Sequence, residues 1–158
     1  MKKLFATDQN NWTALIARLS VALVIFPHGA QKLFGWFGGY GFDGTMGFLT
    51  SQAGLPYIVA LLVIVIETFA SLFLLFGFAT RVAAFGILGN FIGVVLKNHV
   101  SNGFFMNWAG SQKGEGIEYF LLLFGLTIIL LITGGGKASL DAALVKQNNQ
   151  KFELGVTN

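Results

Sequence analysis

The chain has 158 residues, 54% of them hydrophobic and 11% charged, and a mean hydropathy of +0.70. A soluble domain carries about 25% charged residues, and a short chain needs a large polar surface because its surface-to-volume ratio is high, so an ordinary soluble domain is excluded. The absence of Cys excludes disulfides, thiolate metal sites and thiol chemistry within the chain, and a net charge of +3 with no polybasic run gives no reason to expect nucleic acid.

Four apolar stretches follow one another, at about 12–36, 55–76, 80–99 and 116–133. A spanning helix needs about 20 mostly apolar residues. The pattern therefore predicts an all-α membrane protein, a four-transmembrane-helix up-down bundle forming a single domain over 1–158. Lys2 and Lys3 precede the first stretch as in a signal peptide. The polar segment 7–11, the length of the apolar run and the lack of a small-residue cleavage site favour a retained helix instead.

On a helical wheel the first stretch gathers Arg18, His28, Gln31 and Lys32 within an arc of about 140°. His28 and Lys32 stack at i,i+4, and Pro27 is expected to kink the helix and free a carbonyl. The Gly-rich segment 37–54 then reads as a long loop. Its Trp36-Phe37-Gly38-Gly39-Tyr40-Gly41 run lacks the preceding strand of a dinucleotide fingerprint and reads as an aromatic interfacial cap.

The second stretch carries Glu67 near its middle, with Ser71 one turn on. A tight turn, 77–79, leads to the third. There Gly86, Gly89, Asn90, Gly93 and Lys97 form one stripe. Its Gly89/Gly93 pair predicts close approach of a neighbouring backbone, with Lys97 pointing into the bundle. A second long loop, 100–115, offers Phe104, Phe105, Met106 and Trp108 as another aromatic cap. Glu118 opens the fourth stretch. Gly134-Gly135-Gly136 ends it, and Ser139 is a plausible N-cap of a short interfacial helix, 140–147, with Asp141 in its first turn. The spacing of a phosphate-binding loop is absent there.

Lys2, Lys3, Arg81, Lys137, Lys146 and Lys151 fall at the termini and the short turn, whereas the two long loops together contain only Lys113. Positive charge stays inside, so both termini are expected in the cytoplasm and the long loops outside. By rise per residue, His28, Lys32, Lys97 and Glu118 fall in the outer half and Glu67 near mid-membrane.

Ionisable side chains within a bilayer cost a few kcal/mol and face the bundle interior or a cavity. The candidate site is therefore His28 and Glu67 as proton-exchanging, catalytic groups. Lys32, Lys97, Glu118, Arg18 and Gln31 are the candidate substrate-binding groups, with Lys32 and Lys97 contacting an anion or a carbonyl. A structural reading weighs equally: Glu67 neutralises Arg18 or Lys32, and the other cations snorkel to the interfaces. His28 and His99 fall at different depths, about 12 Å and 5 Å below their helix ends, so a haem site is disfavoured. They also have no metal-ligand spacing, so no metal site is expected.

Arg18 and Pro27-His28-Gly29-Ala30-Gln31-Lys32-Leu33-Phe34-Gly35 resemble the first-helix signature of the DoxX family. Glu67, Leu75-Phe76-Gly77 and Thr80-Arg81-Val82-Ala83-Ala84 resemble its second and third helices, and Gly136 with Ser139-Leu140-Asp141 its tail. The resemblance implies a four-helix bacterial inner-membrane protein associated with membrane oxidoreductase complexes, related members being subunits of a thiosulfate:quinone oxidoreductase. Together these readings favour an oxidoreductase subunit of a quinone-linked complex, embedded in membrane lipid and assembled as a homo-oligomer or within a larger membrane complex. The alternative is a non-catalytic scaffold. Solute transport is disfavoured, since four helices without an evident repeat make a poor alternating-access device.

Overall fold

The computed structural model describes residues 5–153, with side chains through Lys146. Lys2, Lys3 and the side chain of Lys151, which enter the orientation argument, lie outside the described residues. In chain order the helices are α1 (Trp12–Phe34), a short α2 (Gly41–Gly47), α3 (Tyr57–Phe76), α4 (Thr80–Asn102), α5 (Glu118–Thr133) and α6 (Leu140–Glu153), with no strand among the described residues. By length and composition α1, α3 and α4 can each cross a membrane. α5 is apolar but has 16 residues, about 24 Å of helix.

The four long helices close into a ring: α1 packs on α3 and α5, and α4 packs on the same two. Val21, Ile25, Leu74, Ile87, Leu123 and Leu130 fill the centre. The outside is equally apolar, with Ile16, Leu23, Phe85, Leu122 and Ile132 all exposed, while Arg18, Glu67, Thr68, Ser71 and Thr127 are buried. Apolar side chains outside and these polar groups inside, hydrogen-bonded except for the Thr68 hydroxyl, fit a hydrocarbon solvent.

Asn11 caps α1, its Oδ1 accepting from the Ala14 amide at 2.9 Å. The helix runs unbroken through Pro27 and stops at Phe34, two residues short of the expected 36, because Gly35 turns left-handed (φ +74°). The expected loop 37–54 is partly helical: α2 continues directly into a π-helical turn, Phe48–Gln52. Further π-turns interrupt α3 at Ile66–Ala70 and α4 at Val95–His99. α6 runs to Glu153, past the expected 147.

The glycines of α4 do not act as their spacing suggests. A Cβ on Gly89 or Gly93 would meet nothing within 4 Å, and one on Gly86 would touch only the Ile66 side chain at 3.7 Å. No backbone approaches this stripe; it leaves open space. Close approach happens instead at Gly29, where a Cβ would sit 2.6 Å from the Glu67 carbonyl and the Thr68 Cα. Gly29 therefore lets α1 lie directly on the π-turn that carries Glu67.

Candidate functional site

The ionisable groups separate into two clusters at opposite ends of the bundle. At the end with the tight turn, Arg18 is 1% exposed and donates five hydrogen bonds to backbone carbonyls. Two go to Leu74 and Leu75, C-terminal carbonyls of α3, of which that of Leu74 also accepts from the Gly77 amide at 3.1 Å. Three go to Gly135, Lys137 and Ala138 in the connection between α5 and α6. Arg81 does the same for α5, donating to Leu131 and Ile132 at 2.9 Å and also to Ala6.

Asp141 completes this end. Its carboxylate accepts from the Ala79 amide at 2.8 Å and the Thr80 amide at 2.9 Å. It thus caps the start of α4 from another helix and holds Ala79 in a left-handed conformation (φ +45°) that costs a residue with a Cβ. Ser139 caps α6, its hydroxyl accepting from the Ala142 amide at 3.1 Å. Gly77 (φ +66°) leaves no room for a Cβ beside Ser139. Arg18 therefore lies away from the candidate site and is committed to backbone.

The other end is built around Glu67, whose side chain is 3% exposed. Lys32 Nζ meets its Oε2 at 2.6 Å, and Asn90 Nδ2 donates to its Oε1 at 3.3 Å. The π-turn places Glu67 here, with the Ser71 hydroxyl donating back to the Glu67 and Thr68 carbonyls. Above this group opens a cavity of about 1090 Å³, bounded by α1, α3, α4, the start of α5 and both long connections.

Of the predicted residues, His28, Lys32, Glu67 and Lys97 line this cavity and Arg18, Gln31 and Glu118 do not. Lys97 is exposed to the cavity rather than packed into the bundle, and His28 is exposed there too. Neither side chain has a hydrogen-bond or ion-pair partner among the described residues. His99, also on the wall, is committed: Nδ1 lies 2.8 Å from the Glu115 carbonyl and its ring lies 4.5 Å from that of Phe120.

Gln31 and Glu118 fasten the connections over the cavity. Gln31 donates to the Phe37 carbonyl at 3.3 Å. Glu118 accepts from the Met106 amide at 2.8 Å and from Trp108 Nε1 at 3.4 Å. Asn90 was a missed site residue: an amide in the middle of an apolar helix was its signal. Phe48 and Gln52, on the π-turn after α2, join the wall with no sequence signal at all. Among the described residues, no group of three or more His, Asp or Glu gathers as a metal would require.

The family model for DoxX matches residues 13–100, which span α1 to the last π-turn and include the whole Lys32–Glu67–Asn90 group. The chain belongs to the DoxX family. It is 30% identical to "Inner membrane protein YphA" of Escherichia coli (strain K12) over 131 residues, 80% of this chain and 86% of that protein. It is 29% identical to "Putative oxidoreductase CatD" of Bacillus subtilis (strain 168) over 136 residues, 84% of this chain and 87% of that protein. No solved structure matches it significantly. It is thus a DoxX-family membrane protein with one polar group facing a cavity and another closing the opposite end.

Proposed function

We propose that this chain is a subunit of a membrane redox system whose cavity takes the head group of a quinone-like molecule. The observation that carries the reading is Glu67, a buried carboxylate held by Lys32 and Asn90 at the floor of a large and mainly apolar cavity. Sites for drug-sized molecules run to about 1,000 Å³ with apolar walls and a few placed polar groups, which matches this one. Val24, Leu62, Ile66 and Val94 offer wall for a ring and its tail. Lys97 and His28 are free to donate to carbonyl oxygens, and His28 and Glu67 to exchange protons. The oxidoreductase in the name of the Bacillus relative supports the same class. With no Cys, the chain brings no thiol chemistry of its own, so electrons come from a partner subunit or a substrate.

The reading includes a topology. Arg81, Lys137 and Lys146 lie at the turn end and only Lys113 in the long connections. The turn end therefore faces the cytoplasm, with both termini inside and the cavity opening toward the outer half of a bacterial inner membrane. α5 forms the fourth span, and the assembly is a homo-oligomer or a larger complex.

A scaffold reading is favoured by one observation: Tyr40 and Trp108, in the two long connections, are 82% and 88% exposed, a surface suited to a partner or to the interface. Two measurements separate them. Organic extraction of the purified protein should yield a bound quinone, lost in Glu67→Gln. His28→Ala should lower membrane redox activity at unchanged protein level. Intact activity in His28→Ala with no extractable quinone favours the scaffold.

A further inference from the structure

A second, smaller pocket of about 260 Å³ reaches the same lysine from another side. It lies between the end of α1, the Gly38-Gly39 turn and α2, lined by Gln31, Tyr40 and Thr45 with Lys32 at its base. Lys32, Phe48 and Leu49 line both spaces. Phe48 and Leu49 are therefore the partition between them, and Lys32 is the ionisable group common to both.

Both spaces are lined mainly by apolar surface and both are partly open; they differ in size and in the polar groups they hold. The small pocket offers the Thr45 hydroxyl, the Tyr40 hydroxyl, the Gln31 amide and the glycine backbone. Thr45 is 6% exposed, and its hydroxyl has no hydrogen-bond partner among the described residues. A water needs two to four polar partners and about one probe sphere of room; this pocket supplies both. Lys32 is 26% exposed and Glu67 3%, so the lysine is the more accessible member of the pair.

We propose that the small pocket is a water-filled proton port serving the Lys32–Glu67 pair from the outer aqueous phase. When a molecule in the large cavity takes a proton from the Lys32 ammonium, pocket water returns one to the lysine and is itself reprotonated from the outer aqueous phase, so the pair is restored. No electron moves in this step. Phe48 and Leu49 keep the water away from the ligand, so protons enter by one side and the amphiphile by the other. The inference rests on the topology proposed above, and the test separates the two.

Because the chain has no Cys, single-Cys variants report without background. In sealed vesicles of known sidedness, Tyr40→Cys and Thr45→Cys are exposed to a small, cationic, membrane-impermeant thiol reagent. Gln31→Cys replaces Thr45→Cys if that variant does not fold. Both positions should react from the outer face. Reaction at 40 without reaction at 45 or 31 overturns the port and leaves the topology intact. Reaction at 40 from the cytoplasmic face alone overturns the topology, and the port with it.

The connection to Lys32 is tested in Lys32→Cys/Glu67→Gln, where no carboxylate is left unpaired. Adding Thr45→Leu should slow reaction at position 32 on the order of tenfold, as expected when an ordered bridging water is displaced. Adding Val63→Leu, which narrows the large cavity, should not. The reverse pattern would mean that water reaches Lys32 through the large cavity and would overturn the port.

Discussion

The two ends of this bundle use buried charge in opposite ways. At the turn end Arg18, Arg81 and Asp141 meet backbone: helix-terminal carbonyls for the arginines, helix-initial amides for the aspartate. Each satisfies groups that a helix end leaves orphaned in hydrocarbon. At the loop end Lys32 and Glu67 meet each other, while His28 and Lys97 face a cavity without a hydrogen-bond or ion-pair partner among the described residues. An intramembrane charge locks a fold when its partners are backbone. When its partners are other titratable side chains beside open space, the same kind of charge has chemistry left to offer.

The largest expected effect breaks the first end. Arg18→Met removes five donors from backbone carbonyls, of which only that of Leu74 keeps another partner among the described residues, the Gly77 amide. At about 1–3 kcal/mol per orphaned buried group, the variant should fail to accumulate as folded protein in membranes, read by detergent-solubilised yield and size-exclusion profile.

Lys32→Met leaves the Glu67 carboxylate buried with only Asn90. Breaking a buried pair by removing one partner costs about 3–5 kcal/mol, so thermal unfolding in detergent should shift clearly downward. Lys32→Met/Glu67→Gln should recover most of the loss. If the double variant is no better than the single, the pair is not coupled and the account of the loop end fails.

Gly29→Ala is the next step down. Its methyl would lie 2.6 Å from the Glu67 backbone, and overpacking of this kind costs about 1–3 kcal/mol. The loss should appear both in stability and in quinone retention, because α1 can move only by shifting the turn that carries Glu67. Asp141→Asn keeps a capping acceptor but loses the charge and one of two paired oxygens. A loss of about 1 kcal/mol is expected, within the range of helix caps, with quinone retention unchanged.

Lys97→Ala should be smallest on stability and selective in function. The ammonium has no partner to abandon, so unfolding should not move, whereas retention of quinone should fall. Equal losses at Lys97 and at Asp141 in both measurements would erase the contrast between the two ends.

Much of this was legible in the chain before folding. Apolar run lengths located all four long helices to within a few residues, and Ser139 announced the start of α6. His28 and Lys32, stacked at i,i+4, and Glu67 at mid-helix do line one cavity. What was not legible has definite causes. A wheel drawn at 100° per residue loses its phase at a π-turn, which adds a residue to the ring, and α4 carries one at the position of Lys97. The wheel also shows which residues share a face but not what that face meets: Gly89 and Gly93 were expected against a helix and border open space instead. Arg18 shares an arc with Lys32 but lies about 21 Å along the axis from it, close to the α3 C-terminus. Asp141 caps α4 rather than its own helix, a contact between distant segments that no local pattern encodes. α2 was hidden by its glycines, which resemble a loop until Thr45 and Met46 find something to pack on.

The central claim is that the Glu67 cavity holds a quinone-like molecule, and a photoreactive quinone tests it most directly. Cross-linked protein, digested and mapped by mass spectrometry, should carry the label on cavity-wall peptides containing Val24–His28 and Leu62–Ile66, with labelling displaced by excess quinone and lost in Glu67→Gln. Label confined to lipid-facing residues such as Ile16, Phe85 and Leu122, unchanged in Glu67→Gln, would contradict it.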